Sequence, residues 1–449
     1  MTNQPPLTQT AQISKPNGLA LLPLMLFLAL FLGTGTYLTL QGVDYAFYQL
    51  PAPVAVLPAL LLALVITKDK VNTTIENFIS GVGDSNVIAM CMIYLLAGAF
   101  AAVASATGGV ESTVNLGLSL IPSWFLLPGF FLISAFIATA MGTSMGTLGA
   151  VGPIALGVAQ TTGIDLGIMA GAIISGAMFG DNLSIISDTT IAATRTQGCE
   201  MKDKFKENLR IALPAAVAVI ALLYFLSSEA VLPAVGDVDW IKVVPYLAII
   251  VLALAGLNVF VVLGSGIILA GVVGLMQVPD YSLMVLSKNI YTGFSNMQEI
   301  FILSLFIGGL GAVMSHQGGL SFIVKKIDLL LMRFSGQHKD VSERAAEFGI
   351  ASVVSLTNMA VANNTVSIIV ASNVAKDLAT THNVKPKRSA SILDIFACCI
   401  QGVLPYGAQA LMLGAMFGLS PLAVSLNVFY PMLLAISAIL TIIWRRREI

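Results

Sequence analysis

The stretch Ser175–Thr190, SGAMFGDNLSIISDTT, carries two carboxylic acids, Asp181 and Asp188, inside a long apolar segment. On insertion scales, an acid in the middle of a membrane-spanning segment costs roughly 2.5–3.5 kcal/mol. Acids at such depths usually bind or conduct something charged. We therefore expect this stretch to hold an ion or proton site, with the rest of the chain organised around it.

The whole chain has the composition of a protein with many membrane spans. Of its 449 residues, 57% are hydrophobic and 10% are charged, whereas soluble domains carry about 25% charged residues. A helix needs about 20 apolar residues to cross a bilayer, and on this rule the chain forms about 11 to 13 spans. We predict an all-α integral membrane protein that is not an enzyme.

Several of these spans are broken. Two pairs of short spans are predicted to form helical hairpins, and two longer spans are predicted to be interrupted helices. In chain order these segments are 124–141 with 145–160, 166–194, 347–361 with 363–379, and 389–415.

The positive charges set an orientation. If Lys15 is cytoplasmic and each hairpin enters and leaves from one side, all of the 22 Lys and Arg residues except Lys242 and Lys288 are cytoplasmic, as the positive-inside rule requires. We expect a multi-pass protein of a bacterial cytoplasmic (inner) membrane with both termini cytoplasmic. The run KDKFKENLR, Lys202–Arg210, is interpreted as a solvated loop. The predicted parts are a cytoplasmic tail (1–18), a first half (19–227), an external loop (228–242), a second half (243–443) and a basic cytoplasmic C-terminus (444–449).

The two halves resemble each other in sequence. Gly83–Asn86 matches Gly293–Asn296 at an offset of 210 residues, and Thr139–Thr147 aligns with Thr357–Thr365 at an offset of 218. The charge layout points the span 86–106 outward and the span 297–316 inward. Small-residue patterns also recur for close helix packing, but the constant offset favours an inverted repeat. Such repeats are typical of secondary transporters, which bind ligands near the midplane where broken helices meet.

Helix breaks inside a membrane free backbone groups that can act as ligands in a buried or wet site. Four segments contain Gly, Asn or Pro residues that favour such breaks. They are Gly142–Gly146, Gly180–Ser184, Ala362–Asn364 and Gln401–Gly407. The predicted substrate pathway comprises Thr143, Ser144, Asn363, Asn364, Gln401 and Tyr406.

Na⁺ is held in such sites by oxygen atoms. We predict Asp181, Ser184 and Asp188 as Na⁺ ligands, with Thr189, Asn182 and Asp394 as further ion- or proton-binding residues. On an unbroken helix the first two acids would lie about 10 Å apart along the axis, so a shared ion requires a break between them. Low dielectric disfavours the charged form of an acid, which allows H⁺ to replace Na⁺. The structural alternatives are a helix cap at Asp181 and a hydrogen bond to nearby backbone at Asp188.

The segment Gly180–Ser184, GDNLS, followed by Ser187–Thr190, SDTT, resembles the signature of the NhaC-type Na⁺/H⁺ antiporter family. Ile185 stands where that signature commonly has a proline. The resemblance implies a secondary transporter with inverted repeats and two hairpins that exchanges Na⁺ for H⁺. It also implies ion-binding roles for Asp181, Ser184 and Asp188. Some members couple Na⁺ and H⁺ to organic solutes.

Two functions remain open at this point. The first is Na⁺/H⁺ antiport by alternating access, without a cofactor, in a homodimer whose partners are the lipid bilayer, Na⁺ and H⁺. The alternative is a Na⁺- or H⁺-coupled transporter of a small organic anion or amino acid, since helix N-termini at the hairpin tips suit a carboxylate. No arginine is predicted at mid-membrane to bind a large anion. The sequence has no nucleotide-binding motif or Cys/His metal cluster, and we expect no nucleic-acid partner.

Overall fold

The computed structural model describes residues 15–41, 43, 49–120, 122–185, 187–227, 236–334 and 342–444. Most of the predicted tail, residues 228–235 of the predicted external loop and the terminal residues 445–449 lie outside the described residues. Within the described part, all regular secondary structure is helical. The α-helices are α1 Leu22–Leu40, α2 Ala52–Ile66, α3 Val71–Val82, α4 Ser85–Ala106, α5 Gly109–Leu120, α6 Leu126–Met141, α7 Ser144–Thr162, α8 Leu166–Leu183, α9 Asp188–Gln197, α10 Met201–Ser227, α11 Trp240–Leu254, α12 Val259–Gln277, α13 Leu283–Asn296, α14 Gln298–His316, α15 Gly319–Phe334, α16 Ser342–Val361, α17 Asn364–Thr381, α18 Pro386–Val403, α19 Ala408–Phe417, α20 Pro421–Leu426 and α21 Phe429–Trp444.

The helices have the length and surface of membrane spans. Seven segments of the described chain are long and apolar enough to cross a bilayer, and four shorter helices, α2, α6, α11 and α21, are also apolar. Large side chains such as Phe136, Phe225 and Ile268 stay exposed, which a water-facing surface rarely tolerates in large patches. The chain is therefore an all-α, multi-pass membrane protein, as its composition predicts.

Four helices, α3, α5, α13 and α15, occupy segments that the span rule left as connections. They were missed because that rule counts uninterrupted apolar residues, whereas these helices interrupt their apolar residues with polar ones. Two of them support the core directly: α13 packs on α4 and α3 packs on α14. The α4–α13 contact is backbone to backbone, since a methyl group on Gly98 would collide with the carbonyl oxygen of Gly293.

The helix bounds recur along the chain. Helices α8 and α18 each span 18 residues, α9 and α19 each span 10, and each pair begins 220 residues apart. The same offset relates Thr143 to Asn363, which cap α7 and α17, so the offset of 218 read from the sequence is wrong by two residues. Some equivalent positions touch: Cys398 Sγ lies 3.8 Å from the carbonyl oxygen of Met178.

This arrangement brings the helix breaks together. Helix α6 packs closely along α8, and α16 packs along α18. Helix α8 also packs on α7, and α18 also packs on α17. Beyond the breaks α9 packs on α17 and α19 packs on α7, so the helices after each break contact the hairpin of the other half.

Candidate functional site

Helix breaks occur near all four predicted segments, and residues beside each break line one cavity of about 140 Å³. The breaks separate α6 from α7, α8 from α9, α16 from α17 and α18 from α19. The second break lies later than predicted, between Leu183 and Asp188 instead of within Gly180–Ser184, because Gly180 stays in the helix and packs closely on the backbone of α6. We call the shared space the break cavity. Its polar lining residues are Asn86, Thr143, Asp181, Asp188, Thr189, Asn363, Asn364, Thr365, Gln401 and Gln409.

The structure divides the predicted site residues into two groups. Seven of them line the break cavity, namely Thr143, Asp181, Asp188, Thr189, Asn363, Asn364 and Gln401. The other five do not line it, namely Ser144, Asn182, Ser184, Asp394 and Tyr406. The side chains of Asn182 and Asp394 bond to each other, and Ser184 and Tyr406 donate to the backbone carbonyl groups of Thr139 and Met359.

The two hairpin tips share one local geometry. Each turns through a residue with left-handed backbone, with φ of 69° at Gly142 and 49° at Ala362. Each then continues into a polar N-cap. The Thr143 hydroxyl and the Asn363 side-chain carbonyl accept hydrogen bonds from first-turn N–H groups of α7 and α17, at 3.4 and 3.1 Å. Both polar side chains therefore cap a helix and face the cavity at once.

The break between α8 and α9 is held by hydroxyl groups. The Ser184 hydroxyl donates to the carbonyl oxygen of Thr139 at 3.0 Å, and the Thr190 hydroxyl donates to the carbonyl oxygen of Ser184 at 2.7 Å. Freed backbone groups in a membrane need such partners. In this geometry Ser184 supports the break from behind the cavity wall, rather than presenting its hydroxyl to the cavity as the predicted ligand role requires.

The two acids of the starting stretch reach the same space from opposite sides of the break. Asp181 lies in the last turn of α8 and is 9% exposed, while Asp188 begins α9 and is exposed. The Ser144 hydroxyl contacts the Asp181 carboxyl group. Two carboxyl groups at one small, partly open cavity provide the oxygen ligands that a monovalent cation needs, and each can take a proton instead.

Amide side chains face these acids from the second half of the chain. Gln401 Nε2 donates to Gln409 Oε1 at 3.1 Å, and Gln409 Nε2 donates to Ser144 Oγ at 3.2 Å. Both amide N–H groups in this row therefore donate in the direction of Ser144 and the first half of the chain. Gln401 Oε1 at the far end is buried without a hydrogen-bond partner among the described residues. A bare carbonyl oxygen is suited to bind a cation.

A buried ion pair lies behind the cavity wall. Lys204 Nζ is 2.6 Å from Asp394 Oδ2, and the two side chains are 1% and 2% exposed. The same carboxylate oxygen accepts hydrogen bonds from Asn182 at 3.0 Å and Asn208 at 2.7 Å. Lys204 also donates to the Thr190 hydroxyl and to the carbonyl oxygen of Asn182. The pair thus joins α8, α10 and α18 just below the break.

The interpretation of Lys202–Arg210 as a solvated loop is wrong. This run is the first part of α10, and Lys204 is among its fully buried side chains. A signal was present in the sequence: Lys204, Asn208 and Ala212 follow one another at four-residue spacing, which continues the buried face of the helix. The loop was predicted from the many charged residues in this run. Polar residues along one face of a helix can equally form a buried hydrogen-bond network.

A second cavity, of about 320 Å³, lies against α14. Four positions that α4 presents to the break cavity have their equivalents, 210 residues later, in the lining of this second cavity. The pairs are Asn86 with Asn296, Ala89 with Glu299, Met90 with Ile300, and Ile93 with Leu303. A small void of about 30 Å³ lies between the cavities, sharing Asn363 with the first and Leu411 with the second, and Tyr406 is part of its wall.

Comparisons with known proteins show which proteins this chain resembles. The sequence profile of the Na⁺/H⁺ antiporter family matches residues 8–228. The Na⁺/H⁺ antiporter NhaC of Bacillus subtilis is 26% identical over 75% of this chain and 79% of its own length. The malate-2H⁺/Na⁺-lactate antiporter of the same organism is 31% identical over 42% of this chain and 41% of its own length.

One solved structure, the YdaH transporter of Alcanivorax borkumensis, covers 95% of this chain and 98% of its own. It has 15% sequence identity and a TM-score of 0.41, which is too distant to define the fold here. The family profile and the NhaC relative bear out the resemblance seen in the Asp181–Thr190 motif. The chain belongs to the Na⁺/H⁺ antiporter family.

Proposed function

We propose that this protein exchanges Na⁺ for H⁺ by alternating access, with the break cavity as its ion site. The observation that carries the proposal is the meeting of Asp181 and Asp188 with four helix breaks around one cavity. Helix breaks, carboxylates and neutral oxygens at the interface of two repeats form the type of cation site that secondary transporters use. Na⁺ and H⁺ compete there for the same carboxylate oxygens, which couples their movement in opposite directions.

The residues take distinct roles in this proposal. Asp181 and Asp188 bind Na⁺ or H⁺. The Thr189 hydroxyl and Gln401 Oε1 supply neutral oxygen ligands from either side of the cavity. The second half of the chain therefore contributes to the cation site through a carbonyl group rather than through an acid.

Asp394, predicted from the sequence as an ion- or proton-binding residue, takes a structural role in this scheme. Its carboxylate is neutralised by Lys204 and receives two amide hydrogen bonds. A transported cation would have to displace an ammonium group that the fold holds in place. Asp394 and Asn182 therefore keep the break in position, and Asp181 exchanges its bound ion.

The second cavity provides the other side of the alternating cycle. Its lining uses the positions of α14 that correspond to the cavity-lining positions of α4. If the two halves exchange conformations, this second space opens to the ion site and the present opening closes. Glu299 then lies in the access path and attracts cations. Leu411→Trp, which fills this space, should stop exchange in a folded protein; full exchange in that variant would refute the route.

An organic solute is the weaker candidate. The similarity to a malate/lactate antiporter raises it, but the described lining of the break cavity contains two acids and neither Lys nor Arg. An organic anion needs a positive partner there, and Lys204 is occupied behind the wall. The charge of the cavity favours a small cation as the ligand.

The membrane context follows the same proposal. We place the protein in a bacterial cytoplasmic membrane with both termini cytoplasmic, because that orientation puts all Lys and Arg residues on the cytoplasmic side except Lys242, Lys288 and the buried Lys204. We also propose that it forms a homodimer. Cross-linking in membranes tests the dimer, and protease protection of tagged termini tests the orientation.

The function is tested by reconstituting the full chain in liposomes that contain a pH-sensitive dye. An outward-directed Na⁺ gradient should drive acidification of the lumen. Asp181→Asn and Asp188→Asn should each lose most of this exchange, because an amide cannot alternate between Na⁺ and H⁺. Asp165→Asn is the matched control: Asp165 lies exposed at the opposite end of the α8 segment, where it caps the helix, and Asn caps equally well.

Two outcomes would contradict the proposal. Full Na⁺-driven proton movement in both cavity variants would remove these acids from the mechanism. Proton movement that requires lactate, malate or an amino acid in addition to Na⁺ would favour the solute-coupled alternative.

A further inference from the structure

A third cavity lies away from the break cavity, between the start of α10, the start of α18 and the end of α21. Its volume is about 410 Å³. Three cationic side chains, Arg210, Lys387 and Arg388, and one carboxylate, Glu207, line it. Three cations and one carboxylate give this cavity a net positive charge, which favours binding of an anion.

The three cations differ in their protein partners. Arg388 is buried and held by both oxygens of Glu347, at 3.2 and 2.9 Å, with Glu207 at 3.8 Å. Arg210 and Lys387 make no ion pair within the described part of the chain. Both remain at least partly accessible. Arg388 is therefore held in place by its carboxylate partners, whereas Arg210 and Lys387 can contact a ligand.

The rest of the cavity wall has the character of a membrane interface. Trp444 at the end of α21 lines it and is 73% exposed, and exposed Trp side chains are enriched at the headgroup level. The neighbouring apolar residues Leu213 and Ile436 are exposed on the same two helices, α10 and α21. The sequence continues after Trp444 with three arginines, Arg445–Arg447.

We propose that this cavity binds the phosphate headgroup of an anionic phospholipid. Arg210 and Lys387 contact the phosphate, Ser437 and Thr441 offer hydroxyl groups, and the acyl chains lie along the apolar face between α10 and α21. Basic pockets between membrane helices are a known form of lipid-headgroup site. A bound lipid would bridge α10 and α18, the two helices that carry Lys204 and Asp394.

The test measures lipid retained by the purified full-length protein, using native mass spectrometry after incubation with phosphatidylglycerol or phosphatidylcholine. The wild type should retain phosphatidylglycerol preferentially. Arg210→Gln with Lys387→Gln should weaken retention about 30-fold, the effect of removing two surface cations. The charge-preserving pair Arg210→Lys with Lys387→Arg should keep it.

The matched control is Lys202→Gln with Lys206→Gln, two exposed cations of the same helix that do not line the cavity. Equal loss in this control would show that any surface charge suffices, and the site would be refuted. Unchanged retention in the Arg210/Lys387 variant would refute it directly. Inorganic phosphate at millimolar concentration should leave the lipid bound; displacement would identify a free-anion site instead.

Discussion

Removing the ammonium group of Lys204 is the most informative perturbation of this fold. Lys204→Met replaces the apolar stem of the side chain but deletes the ammonium group, the partner of Asp394 at 2.6 Å, and two further hydrogen bonds, at 2.7 and 3.1 Å. The carboxylate would stay buried with only the amides of Asn182 and Asn208. Breaking a buried pair in this way costs about 3–5 kcal/mol, and we expect that loss in the free energy of unfolding.

The double variant Lys204→Met with Asp394→Asn separates charge from packing. It removes both charges, and the new amide can still accept a hydrogen bond from Asn208. Replacing both partners of a buried pair is often close to neutral. We therefore expect the double variant to lose less than about 2 kcal/mol, a favourable coupling of at least about 2 kcal/mol in the cycle.

SDS-induced unfolding from mixed micelles measures these differences against the wild type. Lys206→Met is the control, since this exposed lysine lies on the same helix, and it should change stability by less than about 0.5 kcal/mol. Two results would refute the reasoning. One is a Lys204→Met variant as stable as that control, and the other is a double variant whose loss equals the sum of the two single losses.

Three further predictions concern the backbone and a cysteine. Gly176→Ala puts a methyl group into the backbone of α6 and should cost about 1–3 kcal/mol, whereas Gly33→Ala, which meets open space, should be neutral or stabilise by up to about 1 kcal/mol; equal effects on unfolding would contradict the α6–α8 packing. Gly142→Ala should lower the free energy of unfolding by about 1–2 kcal/mol because the φ of Gly142 is 69°, while Ala362→Gly, at φ 49°, should not lower it. A loss of stability in Ala362→Gly alone would contradict a left-handed backbone at both hairpin tips. Burial raises the pKa of Cys199 to about 11, so its alkylation by N-ethylmaleimide should rise about tenfold per pH unit from 7 to 10 as the thiolate fraction grows; a plateau below pH 9 would contradict that burial.

Much of the fold could be predicted from local pattern. Apolar run length predicts the membrane helices, because the bilayer requires a fixed length of apolar helix. The residues at the breaks were also predictable: a left-handed backbone at Gly142 and a polar cap at Asn363 follow from residue type. Asp181 and Asp188, predicted as ion ligands because acids in membrane spans are costly, both line the break cavity.

The partners across the structure were not predictable in the same way. The sequence placed Lys204 in a loop and Asp394 in the ion site, but packing of α10 between α8 and α18 joins them as a buried pair. Ser184 was chosen for its oxygen, yet the local turn directs that hydroxyl to the backbone of Thr139. Residue type determines which hydrogen bonds and ion pairs a side chain can form, and the surrounding structure decides which partner it contacts.

The sequence by itself determined that this chain is a bundle of membrane helices with breaks and acids at defined positions, because helix length, helix breaking and the cost of burial are local properties. Tertiary structure alone decided that all four breaks share one cavity and that Gln401 and Gln409 face the acids there. It also decided that Lys204 lies behind the cavity wall and not in water. These outcomes depend on how distant helices fit together, and that fit is set by close contacts that no single segment encodes.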